Sequence, residues 1–115
     1  MIHNTHGKED VERASLAFVA ANIALTADQE ATVLLTIEGV RLGTKGYADG
    51  LQVDGFPPLR EAIGQFVQSG GQLWVCGACA KPRGITEADL VGGAKIIGVA
   101  TAIEALVNGA KSLSF

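Results

Sequence analysis

The chain has 115 residues, a formal net charge of −3 and 48 % hydrophobic residues. That is one domain, read as residues 1–115, with enough apolar content for a core that needs neither disulfide nor metal. An isoelectric point near 5.2 and the absence of any basic cluster argue against nucleic-acid binding, and no apolar run approaches the length of about 18 residues that a membrane span requires.

The N-terminal MIHNTHGKEDVERA lacks the apolar centre of a signal peptide, so the expected compartment is the cytoplasm. A mean hydropathy of +0.29 is rich for a small monomer, and part of the apolar surface is expected to close a subunit interface.

Residues 1–5 read as a short first strand, followed by a loop at Asn4, Thr5, His6 and Gly7. Residues 9–25 carry Val11, Ala14, Phe18, Ala21 and Leu25 at helical spacing behind an acidic start. Residues 31–37 form a β-branched, almost uncharged run, the mark of a buried strand. A short helix is expected around 40–46, then a glycine-interrupted loop. Pro57 and Pro58 open a helix with Leu59, Ile63, Phe66 and Val67 on one face, and Gly70 and Gly71 stop it. Residues 72–76 are a third strand, 77–81 about one helical turn, and Thr86 to Asp89 a capping-type start to another short helix. Residues 95–98 read as a strand, 99–107 as a helix and 110–115 as a last strand.

Alternating strands and helices predict an α/β fold with a parallel sheet covered on both faces, and chemistry beyond the carboxyl ends of the strands. His6, Glu38 and Cys76 each follow a strand in this reading.

Cys76 and Cys79, in LWVCGACAKPRG, are the only cysteines. A thioredoxin-type redox pair has the right spacing, but Pro82 and Gly84 break the helix that should follow, and no later proline is present. Zinc is a weak alternative: His3, His6, Cys76 and Cys79 supply four suitable ligands, yet residues three apart on a strand point to opposite faces. A nucleophilic thiol is the third reading, because a cysteine leaving a strand for a helical turn meets free backbone N–H groups, with Lys81 and Arg83 close in sequence. The fourth is that both are small buried hydrophobes, which fits Cys79 better than Cys76.

Among the other polar residues, His6 is either a base for the thiol or a loop residue capping the next helix. Glu38 reads as a loop hydrogen-bonder, since an acid beside the thiol would raise its pKa. Arg83 has two candidate jobs, steadying a thiolate or pairing with a carboxylate. The segment from Gly39 to Lys45 fails the phosphate-loop spacing, and Trp74 reads as core.

The segments THGKEDVERA, EGVRLGTKGYADGL, VCGACAKPRGI, DLVGGAKIIG and the closing AKSLSF resemble the DsrE/DsrF-like family of sulfur-relay subunits and so-called predicted peroxiredoxins. The resemblance implies a three-layer α/β/α sandwich around a five-stranded, mostly parallel sheet, and assembly as a trimer or hexamer. It implies a persulfide carried on a strand-end cysteine eight residues ahead of the glycine of an Arg-Gly pair, a position that Cys76 and Arg83-Gly84 match. Cys79 matches a second cysteine found in only some members. Gly7, Glu38, Gly39, Tyr47 and Gly77 are the expected pocket residues, and the resemblance implies that the glycine-rich segment of Tyr47 borders the cysteine pocket. The first strand, at five residues or fewer, is short for the family.

The function that follows is a persulfide-carrying sulfur-transfer protein, sulfurtransferase-like if active, with donor and acceptor proteins as partners and no cofactor. The alternatives are a non-catalytic homo-oligomeric binding or regulatory protein on the same fold and, last, a thiol peroxidase or disulfide reductase using both cysteines.

Overall fold

The computed structural model describes all residues, 1–115. Five strands, β1 (Ile2–Asn4), β2 (Thr32–Leu35), β3 (Gln72–Cys76), β4 (Ala94–Ile97) and β5 (Leu113–Ser114), form one sheet in the order β4-β3-β2-β1-β5. Every pairing is parallel, so the sheet is wholly and not mostly parallel. An isolated antiparallel bridge, Thr44 to Leu90, joins two loops outside it.

The chain steps from β1 to β4 in one direction and then returns to place β5 on the far side of β1. Right-handed crossovers put connections that step one way on one face, and the return on the other. Accordingly α1 (Val11–Thr26) and α2 (Leu59–Gln68) share the main core with Val33, Leu35, Leu73 and Val75. The lone return helix, α4 (Val99–Val107), covers Leu34, Trp74 and Ile97 through Ala102. The result is the expected three layers, with unequal helical cover.

α1 begins where Asp10 accepts from the Arg13 backbone N–H at 3.0 Å. That bond, helped by the Arg13 guanidinium, holds the Asp10 carboxyl below the usual carboxylate range. α1 buries Ala14, Ala17, Phe18 and Ala21; α2 buries Leu59, Ala62, Ile63 and Phe66. Phe18 and Phe66 meet edge to face, ring centroids 6.0 Å apart. Gly71 lies flat on the Phe66 ring, where any β-carbon would collide.

Several boundaries differ from the sequence reading. β1 keeps only three residues because Asn4, fully buried, turns the chain: its amide donates to the His6 carbonyl at 2.9 Å and its side-chain oxygen accepts from the His6 N–H at 3.2 Å. β2 stops at Leu35, two residues early, because Ile37 has a positive φ of 55°. The helix expected at 40–46 is a 3-10 segment at Ile37–Gly43. The helix expected after Thr86 is one 3-10 turn, Glu87–Asp89, although its capping box is present, with Asp89 accepting from the Thr86 N–H at 2.8 Å. No helix is long and apolar enough to cross a membrane.

Candidate functional site

The connection leaving β3 turns to the α1–α2 face, while the one leaving β4 turns to the α4 face. Where neighbouring connections part to opposite faces, a parallel sheet opens a crevice at its carboxyl edge. Cys76 ends β3, Ile97 ends β4, and the two are register partners. Cys76 thus lies at the point where this topology makes room for a ligand.

Cys76 is also the N-cap residue of α3 (Gly77–Ala80), a single turn that continues as a 3-10 segment at Lys81–Arg83. Gly77 fits closely there: a β-carbon would stand 3.2 Å from the Ile96 side chain and 3.4 Å from the Ile97 carbonyl. Both cysteines are free thiols. Cys79 is half-buried; Cys76 is only 3 % exposed.

Cys76 packs with the main core and also lines a cavity of about 260 Å³ between the sheet and α4. The sheet side of that cavity is His3, Leu34, Thr36, Cys76 and Ile97; the helix side is Val99, Ala102, Ile103 and Leu106. The thiol is therefore buried but adjoins a space on the α4 face.

The segment after β2 holds the other charged groups. The Glu38 carboxylate accepts from Arg83 Nε at 2.9 Å and from Arg41 Nε at 3.0 Å. Arg83 also donates to the Cys79 carbonyl at 3.1 Å. The guanidinium ties the cysteine turn to the end of β2 and makes no bond to the Cys76 thiol. The Arg83 bond, followed by Arg41, holds the Glu38 carboxyl below its usual range.

A carboxylate with a lowered folded pKa adds stability above its unfolded value, near about 4.3, and that stability is lost as pH falls through the folded pKa. Glu38→Gln is therefore expected to be less stable than wild type at neutral pH, with the gap closing on acidification. Urea unfolding of both proteins at about pH 7 and about pH 3 checks this; a gap that does not shrink contradicts it.

Ile37 is a β-branched residue in the left-handed region and is 52 % exposed. Such a conformation costs about 1–3 kcal/mol, so neighbouring contacts must hold it. Those contacts are the bonds of Glu38 and that of Thr36, whose hydroxyl shares a 2.7 Å hydrogen bond with His3 Nε2. Ile37→Gly is expected to raise stability by up to about 1 kcal/mol or leave it level, whereas glycine usually destabilises by about that amount. Denaturant midpoints measure it; a clear fall would contradict the strain.

The remaining expected pocket residues cluster apart from the cavity. Tyr47 OH accepts from the Lys8 N–H at 2.8 Å and closes over Gly7, where a β-carbon would come within 2.6 Å of the hydroxyl and 3.0 Å of the Glu38 carbonyl. Gly39 packs on the Asn4 carbonyl and donates its N–H to Thr5 at 3.1 Å. Gly7, Glu38, Gly39, Tyr47 and Gly77 do not line the Cys76 cavity.

His6 is held by Glu9, whose carboxylate meets its Nδ1 at 2.7 Å and also accepts from the Gly7 N–H. That is the loop role, away from the cavity. No three His, Cys, Asp or Glu side chains converge, so the zinc set His3, His6, Cys76 and Cys79 is not assembled. The reason is the one the strand geometry gives: His3 lies on β1, and His6 on the loop beyond the Asn4 turn.

Thr36 is not marked as a neighbour of the thiol by motif or spacing, and His3 enters the sequence reading only as a zinc ligand. The available signal is period-two alternation combined with register: Ile2 and Asn4 are buried on β1, which turns His3 to the opposite face, level with Leu34.

A model of the DsrE/DsrF-like family matches residues 1–115. The chain belongs to the DsrE/DsrF-like family. Among its relatives, an uncharacterized protein of Methanocaldococcus jannaschii, MJ0760, is 33 % identical over 100 residues, 87 % of this chain. The match spans only 36 % of that relative's length. An uncharacterized protein of Methanopyrus kandleri, MK0008, is 34 % identical over 85 residues, 74 % of this chain and 67 % of its own.

Two solved structures share the DsrE-like fold. The YchN protein of E. coli superposes with a TM-score of 0.79 at 14 % identity, covering 99 % of this chain and 97 % of YchN. MTH1491 of Methanobacterium thermoautotrophicum, a protein of unknown function, gives 0.77 at 16 %, covering 99 % and 96 %.

Proposed function

We propose that this DsrE-like protein carries sulfane sulfur as a persulfide on Cys76, receiving it from a donor protein and passing it to an acceptor. The observation that supports this most is the place of the thiol: the last residue of β3, at the parting of two connections, beside a cavity. In the first step the Cys76 thiolate attacks the outer sulfur of a donor persulfide, the donor's S–S bond breaks and the donor leaves as a thiol. In the second an acceptor thiolate attacks the outer sulfur now on Cys76, and the Cys76 thiolate leaves. Sulfur moves at an unchanged overall oxidation level, so no redox cofactor enters the scheme. Two free thiols fit a reducing compartment, and the cytoplasm is the proposed site of action.

Cys79 permits a branch. Residues three apart share a face of a helical turn, so the Cys79 thiolate can attack the inner sulfur of a loaded Cys76, releasing hydrosulfide and leaving a disulfide. Intact-mass measurement after exposure to a low-molecular-weight persulfide separates the paths. A gain of one sulfur, reversed by a reducing thiol, is the carrier; a loss of two hydrogens is the disulfide path. An unchanged mass would sink both.

Assembly is part of the proposal. Val99, Ile103, Leu106 and Val107, at helical spacing on α4, are 39–77 % exposed. An apolar stripe of that kind supports a homo-oligomer, trimer or hexamer, with α4 in or near an interface. Light scattering on the purified protein tests it, and a monomer at all concentrations would refute it. The same stripe favours the second reading, a homo-oligomeric binding protein without sulfur traffic, which an inert Cys76 would single out.

A further inference from the structure

His3 and Thr36 face the same cavity as Cys76 and have no part in the scheme so far. Their own contact is a 2.7 Å hydrogen bond between His3 Nε2 and Thr36 Oγ1. Leu34 pairs with Trp74 and Leu35 with Val75, the last pairs of β2 with β3, and Thr36 and Cys76 are the residues that come next. Alternation directs Thr36 and Cys76 to the α4 face, where both line the cavity. His3 stands one strand further, level with Leu34. Thiol, hydroxyl and imidazole thus follow one another across β3, β2 and β1.

We infer that His3, acting through the Thr36 hydroxyl, is the proton acceptor and donor for sulfur transfer at Cys76. This rests on the persulfide reading above. In the step, Thr36 gives its hydroxyl proton to His3 Nε2 and takes the proton of the Cys76 thiol. Cys76 Sγ then bonds to the outer sulfur of the donor persulfide, and the donor's S–S bond breaks with its electron pair on the inner sulfur. The imidazolium proton returns through Thr36 to that sulfur, and the donor leaves as a neutral thiol. Unloading runs the same proton path in reverse.

The cavity suits this division of labour. His3 and Cys76 are its only titratable side chains. From β2 it receives Leu34, from the residue after β2 Thr36, from β4 Ile97, and from the β5 region Ser112 and Ser114. No carboxylate, lysine or arginine side chain lines it, and the Met1 amine beside it is held by the Lys111 carbonyl at 2.6 Å. In such surroundings a separated thiolate has no nearby side-chain cation, so proton exchange with an imidazole is the economical way to ionise and re-protonate sulfur.

The test is the rate of sulfur uptake from glutathione persulfide, read by intact mass across about pH 5 to 9, for wild type, His3→Gln, Thr36→Val and Thr36→Ser. Thermal melts establish that each variant is folded. Expected are a fall of roughly 100-fold in His3→Gln and Thr36→Val, loss of the imidazole limb of the pH profile in both, and recovery in Thr36→Ser. Wild-type rates and profile in His3→Gln and Thr36→Val overturn this inference while leaving the carrier intact. Slowing with an unchanged pH profile, or without recovery in Thr36→Ser, shows a structural role only and also overturns it. Failure of wild type to take up sulfur removes the persulfide reading and this inference together.

Discussion

Cys76→Ser is expected to acquire no sulfur from a persulfide donor, while Cys79→Ser acquires one atom. The substitution exchanges one atom and keeps the side chain's size, so the main core that Cys76 packs with should survive. What is lost is the nucleophile: a serine hydroxyl stays protonated and does not attack a persulfide at neutral pH. The effect is therefore complete loss. Cys79 is half-buried, its carbonyl fixed by Arg83, and it lies within the α3 turn instead of ending a strand. Its removal should lengthen the life of the loaded state, by deleting the thiol that can discharge it internally. Intact mass at a series of times after loading separates the variants. Uptake by Cys76→Ser equal to wild type would move the chemistry off the strand end, and the topological argument with it.

Phe66→Ala is expected to destabilise the fold by about 3–5 kcal/mol, the range for truncating a buried aromatic. Phe66 is fully buried, meets Phe18 edge-on and carries Gly71 against its ring. Gly71 exists to let the chain turn closely over that ring, so the space left cannot be refilled by a neighbouring side chain. A domain of this kind has a total stability of only about 5–15 kcal/mol. The loss should therefore appear as a fall in Tm of more than about 10 °C. A shift of a degree or two would mean that α1 and α2 repack freely, and that the layer holding the sheet is softer than described.

Much of the architecture is legible in the residues. The β3 run Gln72–Cys76 and the α4 run Val99–Val107 match their reading residue for residue, because each is a clean pattern between glycines. The family also follows from sequence, through segments spread over the chain. What local pattern does not carry is anything decided by register or by two side chains meeting at a distance. Asn4 cuts β1 short by bonding the backbone two residues on, an event that polarity alone does not signal. Ile37 looks like strand by propensity and instead ends the strand at a positive φ, because Thr36 and Glu38 are held on either side.

The site shows the same division. Cys76 at the end of β3 can be read from the run that precedes it, and its place at the parting of connections needs only the strand order. Arg83 beside Glu38 joins residues 45 apart, and the histidine at the cavity is His3 and not His6, which only the pairing of β1 with β2 reveals. The glycine-rich segment around Tyr47 braces the Gly7 loop and leaves the cavity to α4.

The most direct test is peptide-resolved mass spectrometry of wild-type protein after loading with a persulfide donor, with free thiols blocked before digestion. The account predicts one added sulfur on Cys76, removed when an acceptor thiol is supplied, with Cys79 blocked as a free thiol. Sulfur found on Cys79 with Cys76 unmodified, or no sulfur on either at excess donor, would contradict it.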